Sequence, residues 1–172
     1  SFFLPSYDQK FMLLLLFLLG LGLAVGAAPP SDVAPMIPEQ TDCPTSWSSF
    51  NGRCYKYFAT GMSWADAEIH CVSHGANLVS IHSEQEQTFV KTLIKNSDPA
   101  EGRTWIGLSD CHKESAWMWS DGSKVDFTYW AQGQPNNYDG RQRCVETNFS
   151  YKKWNDHFCS YNVPFVCASR LS

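Results

Sequence analysis

The stretch SWADAEIHCVSHGANLVSIHSEQEQTFVKTLIKN, residues 63–96, spells two capped helices around one short apolar strand. Ser63 stands as an N-cap with Asp66 at the third helical position, a loose capping box, and Gly75 supplies a stop. The spacing therefore predicts a helix over 63–75. Ala67 and Cys71, flanked by Trp64 and Ile69, form its inward stripe, which points Cys71 to a core. NLVSI (77–81) reads as a strand. Ser83 caps a second helix over 82–96, with Glu86 at the reciprocal position. Phe89, Val90, Leu93 and Ile94 are its buried face.

On the N-terminal side, CPTSWSSFNGRCYKYF (43–58) reads as a hairpin about the Asn51-Gly52 turn, with Cys43 and Cys54 placed to staple it. On the C-terminal side the pattern turns to β. RTWIGLSD (103–110), AWMWSDGS (116–123), RCVETNF (143–149) and VPFVCASR (163–170) are strand-like runs. Between them lies a region over 122–142 rich in Gly, Pro, Asn and Asp, and a loop that long in a compact domain is usually functional. Helices first and strands later make the class α+β.

The chain has 172 residues and a formal net charge of −4, with acids and bases interspersed. No basic stripe exists to hold nucleic acid. MLLLLFLLGLGLAV, residues 12–25, is shorter than the ~20 residues of a membrane span and is followed by small residues. Residues 1–26 thus read as a signal peptide cleaved near Gly26 or Ala27. Met12 reads as a natural start, which leaves residues 1–11 as untranslated sequence or a fragment end. Residues 27–42 are a proline-rich linker or propeptide, and 43–172 one domain. The expected product is secreted and extracellular, with no membrane span in the mature protein.

All seven cysteines (43, 54, 71, 111, 144, 159, 167) follow the leader. Secretion with this density implies disulfides, and the spacings lack the paired knuckles of a zinc site. Seven is odd, so one cysteine is left over or pairs between chains. The histidines lie in different elements, without a Ser-His-Asp order or an H-E-x-x-H motif, so no enzyme is expected. His70 and His74, at i and i+4, fit an exposed helix face better than a metal site. The NFS triplet at Asn148 is an N-glycosylation sequon.

WADAEIHC, GANLVSIHSEQEQTFV, WIGL, WMWSDGS, YWAQGQPNN, CVE, WNDHFC and PFVCA occur in register over nearly all of 43–169. Together they resemble the C-type lectin-like domain. The tract through Leu93, with SDCH (109–112), is especially similar to fish type II antifreeze proteins, which share that fold. The resemblance implies two helices, two small antiparallel sheets and a long ligand-binding loop. It implies disulfides Cys43–Cys54, Cys71–Cys167 and Cys144–Cys159, leaving Cys111 unpaired. In the antifreeze relatives the partner of Cys111 falls at Arg143, and a further bridge falls at Ala131 and Lys153. Cys111 is then a remnant, a buried thiol, or the handle of a disulfide-linked homodimer.

The resemblance also implies a calcium and sugar site at Gln134, Asn136, Gln142, Asn155 and Asp156, preceded by a cis bond at Pro135. All five residues offer oxygen, yet only Asp156 is charged, and Arg141 and Arg143 flank Gln142. Calcium takes six to eight oxygens, several from carboxylates, so at most one weak site is expected, and a loop without metal stays open. The family's second calcium position keeps Asp110 and Glu114 but has Asn137 and Arg143 where further acids would stand. There Asp110 and Glu114 are expected to pair with Arg143 or to sit in water. The Gln-Pro-Asn triplet is a hybrid of galactose-type and mannose-type motifs. Tyr138 is the exposed candidate for stacking on a sugar, whereas Trp130 and Trp154 fit core packing. The leading expectation is a secreted lectin for glycans of microbial or cell surfaces. An ice-binding protein and a calcium-independent protein-binding module are the rivals.

Overall fold

The structure is a computed structural model that describes residues 43–170. The leader and linker assigned to residues 1–42 lie outside the described residues. Strands β1 (Ser48–Phe50) and β2 (Arg53–Met62) form the expected hairpin. Asn51 and Gly52 both take positive φ, 47° and 73°, as the tight turn requires.

Helix α1 runs over Trp64–Ser73 and α2 over Glu84–Ser97. Ser63 Oγ accepts from the Asp66 N–H at 3.2 Å, and Ser83 Oγ from the Glu86 N–H at 3.1 Å. Glu86 does not reach back to Ser83. Its Oε2 accepts from the His82 N–H at 2.7 Å, and its Oε1 takes Tyr55 Oη and Arg53. The cap thereby ties α2 to β2. Ile69 does not flank the buried stripe and is 66 % exposed. It stands two positions beyond Ala67, roughly 200° round the helix, which turns it to the far side.

Strand β3 is only Asn77–Leu78, shorter than the NLVSI run. Val79 donates instead to Val166 O and accepts from Gly107 N–H, so the backbone crosses between two strands rather than following one. Strands β4 (Thr104–Ser109), β5 (Met118–Trp119), β6 (Gln142–Thr147), β7 (Asn155–Phe158) and β8 (Val163–Arg170) complete the fold. The AWMWSDGS run keeps a ladder only at β5 because the chain turns after Trp119, where Gly122 has φ 75°. The order is β1-β2-β8-β4-β6-β7. The two antiparallel sheets expected are joined into one path by a single parallel pair, Trp105 with Phe165.

The core has two parts. One gathers Tyr55, Val79, Ile81, Val90, Ile94, Ile106, Leu108 and Trp154. The other gathers Ala67, Cys71, Leu78, Trp105 and Phe165 under α1. Three disulfides join Cys43–Cys54, Cys71–Cys167 and Cys144–Cys159, as the resemblance implied. The Cys71–Cys167 bridge closes 96 residues, the kind of long closure that stabilises by several kcal/mol through the unfolded chain, about 4.7 kcal/mol for 100 residues. Among the described residues no helix is long and apolar enough to cross a membrane.

Candidate functional site

The long loop is anchored at its start by Trp154. Ala131 N–H donates to Trp154 O at 2.8 Å, and Trp154 N–H to Tyr129 O at 2.9 Å. The Trp154 ring is fully buried, edge-on to Trp119, Phe127 and Trp130, and its Nε1–H donates to Gln87 Oε1 at 2.7 Å. It is a core residue, and Trp130 packs half-buried against it. Anchoring Trp154 fixes where Asn155 and Asp156 leave it on β7.

Beyond that anchor the Gln134–Pro135 bond is cis, and Asn137, Asp139 and Gly140 all take positive φ. Asp156 organises this path. Its buried carboxylate accepts the Asn136 N–H at 3.0 Å on Oδ1 and the Asn137 N–H at 2.6 Å on Oδ2. Tyr138 N–H lies 3.0 Å from both Asn136 Oδ1 and Gln142 Oε1. Gln142 N–H in turn donates to Asn137 Oδ1 at 3.2 Å. Asn136 is therefore bonded directly to Asp156, and Gln142 is tied to both through Tyr138 and Asn137. Asn155 joins them as the neighbour of Asp156. Gln134 is held by the turn, and its Oε1 is a buried acceptor with no partner.

Sequence reasoning missed Glu146, which stands behind this group. It is fully buried on β6 and accepts from Asn155 Nδ2 at 2.9 Å, while Arg103 lies 3.3 Å from the same oxygen. Burial, with the nearby Asp156 charge, pushes its pKa up to about 7 despite the Asn155 bond and Arg103. The signal was present in the alternation of β6, where Cys144 and Glu146 share one face. Also unread was a polar cluster drawn from three segments. His82 Nδ1 lies 2.8 Å from Asp126 Oδ1, and its Nε2 lies 3.1 Å from Ser80 Oγ and 3.2 Å from Ser123 Oγ. Both serine hydroxyls donate to Asp121 at 2.5 Å, which commits them to tying the loop's start to the α2 corner.

Arg143 stands between the acids of the second calcium position. Its guanidinium lies 3.4 Å from Asp110 Oδ2 and 3.3 Å from Glu114 Oε2. Asn137 Nδ2 donates to the other oxygen of Glu114 at 2.9 Å. Arg141 pairs instead with Asp139 and covers the Phe158 ring. Tyr138 is 68 % exposed beside the loop, as expected of a stacking candidate. His70 is half-buried on α1 against Phe58 and Phe165, and exposed His74 caps the end of α1, with the two rings 4.6 Å apart.

The structure bears on two further expectations. Asn148 is only 7 % exposed, with φ 63°, and its Nδ2, the atom a glycan would take, donates to Gly102 O at 3.3 Å. The turn that follows β6 folds this amide inward. Cys111 is exposed rather than buried, because it sits in the turn after β4.

A Lectin C-type domain model matches residues 60–169. The galactose-specific lectin nattectin of Thalassophryne nattereri is 40 % identical over 131 residues, 76 % of this chain and 82 % of that protein. A Ca2+-dependent type II antifreeze protein in its Ca2+-free form superposes with TM-score 0.68 at 37 % identity, over 74 % of this chain and 99 % of that one. A calcium-independent type II antifreeze protein superposes with TM-score 0.69 at 35 % identity, over 76 % of this chain and 96 % of that one. Relatives of this kind are lectins and antifreeze proteins, and the chain is no more an enzyme than they are. On a matching domain model, a similar lectin and a shared fold, the chain belongs to the C-type lectin domain family.

Proposed function

We propose that this chain is a secreted glycan-binding lectin whose site is the 133–142 loop with Trp154, Asn155 and Asp156. In this reading residues 1–26 are a removed leader, 27–42 a linker and 43–172 the working domain. The observation that carries the site is the buried, unpartnered Gln134 Oε1, an oxygen acceptor left without a donor in the wall of the loop. Such a group costs free energy unless a donor or a cation meets it.

A calcium ion fits these residues weakly. Gln134, Asn136, Gln142, Asn155 and Asp156 would hold it through oxygen. Asp156 supplies the single charge and already accepts two backbone N–H bonds. Bound calcium would ligate vicinal sugar hydroxyls. The chain's own amides at Gln134, Asn136 and Asn155 offer both donors and acceptors to the same hydroxyls, and the Tyr138 ring offers a flat apolar face. A galactose-type sugar is the first candidate, on the likeness to nattectin; a mannose-type sugar is the second. Glycans of microbial or cell surfaces present both. The exposed Cys111 supports a disulfide-linked homodimer, which a non-reducing gel tests.

Ice binding is the second reading, favoured by the likeness to type II antifreeze proteins. The deciding experiment is calorimetric titration of calcium into chelator-stripped protein, with galactose, with mannose and with neither. Saturable binding strengthened by one sugar supports the lectin reading. A flat titration together with thermal hysteresis of the protein solution moves the function to ice.

A further inference from the structure

The Sγ of Cys111 lies 3.8 Å from Cys144 Sγ and 3.8 Å from Cys159 Sγ. It is a free thiol touching both ends of a disulfide, and the three sulfurs form one cluster. The register accounts for this. Ser109 on β4 pairs with Cys144 on β6, and Asp110 N–H continues the ladder to Arg143 O at 3.0 Å. Cys111 then follows on the same face as Cys144, as its diagonal neighbour.

From this geometry we infer that Cys111, Cys144 and Cys159 form an internal thiol–disulfide exchange site, in which the free thiol moves from Cys111 to Cys159. The Cys111 thiolate attacks Cys144 Sγ. The Cys111–Cys144 bond forms, the Cys144–Cys159 bond breaks, and Cys159 leaves with the electron pair. The proton lost by Cys111 goes to solvent and Cys159 regains one. One thiol and one disulfide stand on each side, so no oxidant or reductant is required. The direction follows from burial. Cys144 is fully buried, whereas Cys159 is half-buried and can be hydrated as a thiolate.

Cys111 is equidistant from the two sulfurs and so lies beside the bond rather than in line with it. In-line attack requires its side chain to swing toward Cys144. Cys111 is exposed, so a side-chain rotation alone meets solvent rather than core. A diagonal neighbour also lies near the long limit of disulfide spans, which keeps the exchanged form a minority. Partial desolvation of its sulfur raises the Cys111 thiol pKa, assisted by Asp110 and opposed by Ser109 and Arg143, so exchange quickens with rising pH.

The exchange relocates a clamp. The Cys144–Cys159 bond ties β6, which bears Gln142, to the chain just past β7, which bears Asn155 and Asp156. The exchanged bond ties β6 to the end of β4 and frees the segment after β7. This holds whether the loop takes glycan, ice or neither.

The test is thiol mapping of dilute monomer incubated at pH 7 and pH 9, quenched in acid, alkylated and digested with trypsin. Arg103, Lys113, Arg143, Lys152 and Lys153 put the three cysteines on separate peptides. The expected result is label on the Cys159 peptide, a minority of the total and greater at pH 9, with a Cys111–Cys144 linked peptide in matching amount. Cys111→Ser should abolish both signals. The linked peptide from the unaltered chain carries the conclusion should that variant fold poorly. Label confined to Cys111 at both pH values overturns the exchange, and label at Cys144 in place of Cys159 overturns its direction.

Discussion

Glu146→Gln tests the buried carboxyl behind the loop. Glu146 has an ordinary carboxyl pKa in the unfolded chain, 4.5, and one of about 7 in the folded protein. Below pH 4.5 it is neutral in both states and makes no pH-dependent difference. Between the two values the unfolded chain ionises while the folded one stays protonated, so unfolding is progressively favoured. The slope reaches about 1.4 kcal/mol per pH unit, and the loss levels off above pH 7. Over this span the group withdraws on the order of 3 kcal/mol. Glutamine keeps an oxygen for Asn155 Nδ2 and cannot ionise. Urea unfolding at intervals from pH 4.5 to 8, in chelator and without reductant, measures the difference. The variant should gain on the parent by about 3 kcal/mol between pH 4.5 and 7.5. Parallel stability curves for the two proteins would show that Glu146 is ionised in the fold and held by Arg103, and the reasoning would be wrong.

Other expectations address the loop and the frame beneath it. Asp156→Ala removes the acceptor of two backbone N–H bonds and should abolish any calcium signal in calorimetry, with a stability loss of roughly 3 kcal/mol. Gln134→Glu gives the orphaned position a charge. It should weaken the stripped protein in urea and raise calcium affinity about tenfold or more, the two effects being opposite in sign. Arg143→Asp puts a third acid beside Asp110 and Glu114, so a second calcium binding step should appear in the titration. Gly107→Ala places a Cβ 2.5 Å from Leu78 O, a backbone atom that cannot step aside, and should cost about 3 kcal/mol or more by thermal unfolding.

Local signals located the elements well. Asn51-Gly52, the Ser63 and Ser83 caps and Gly75 each satisfied backbone groups nearby, and such features are written in adjacent residues. What escaped depended on partners distant in the chain. Glu86 looked like half of a capping box, but Arg53 and Tyr55 draw its carboxylate across to β2. NLVSI looked like a full strand until Val79 divided its bonds between Val166 and Gly107. Ile69 was misplaced by hydrophobicity alone, since its angle round α1 already pointed away from Ala67. At the site, the residues that the family resemblance supplied lie on one loop and the two strands β6 and β7. The groups that constrain them, Glu146 behind Asn155 and Arg143 between two acids, are brought there by sheet register. Beyond the Cys43–Cys54 staple of the hairpin, the disulfide pairing was legible only through the resemblance, because seven cysteines fix no connectivity by themselves.

The central ladder pairs β2 with β8, from Arg53 opposite Arg170 to Met62 opposite Val163. The hairpin thus leaves the ribosome long before the strand that is its main neighbour. Cys71 must likewise wait for Cys167. While it waits, Cys54, Cys71, Cys111, Cys144 and Cys159 are all available to one another, so oxidation during synthesis would lock mismatched pairs. Productive maturation is therefore expected only once β8 has emerged, with an isomerase present, and refolding yield should depend more on the thiol buffer than on temperature.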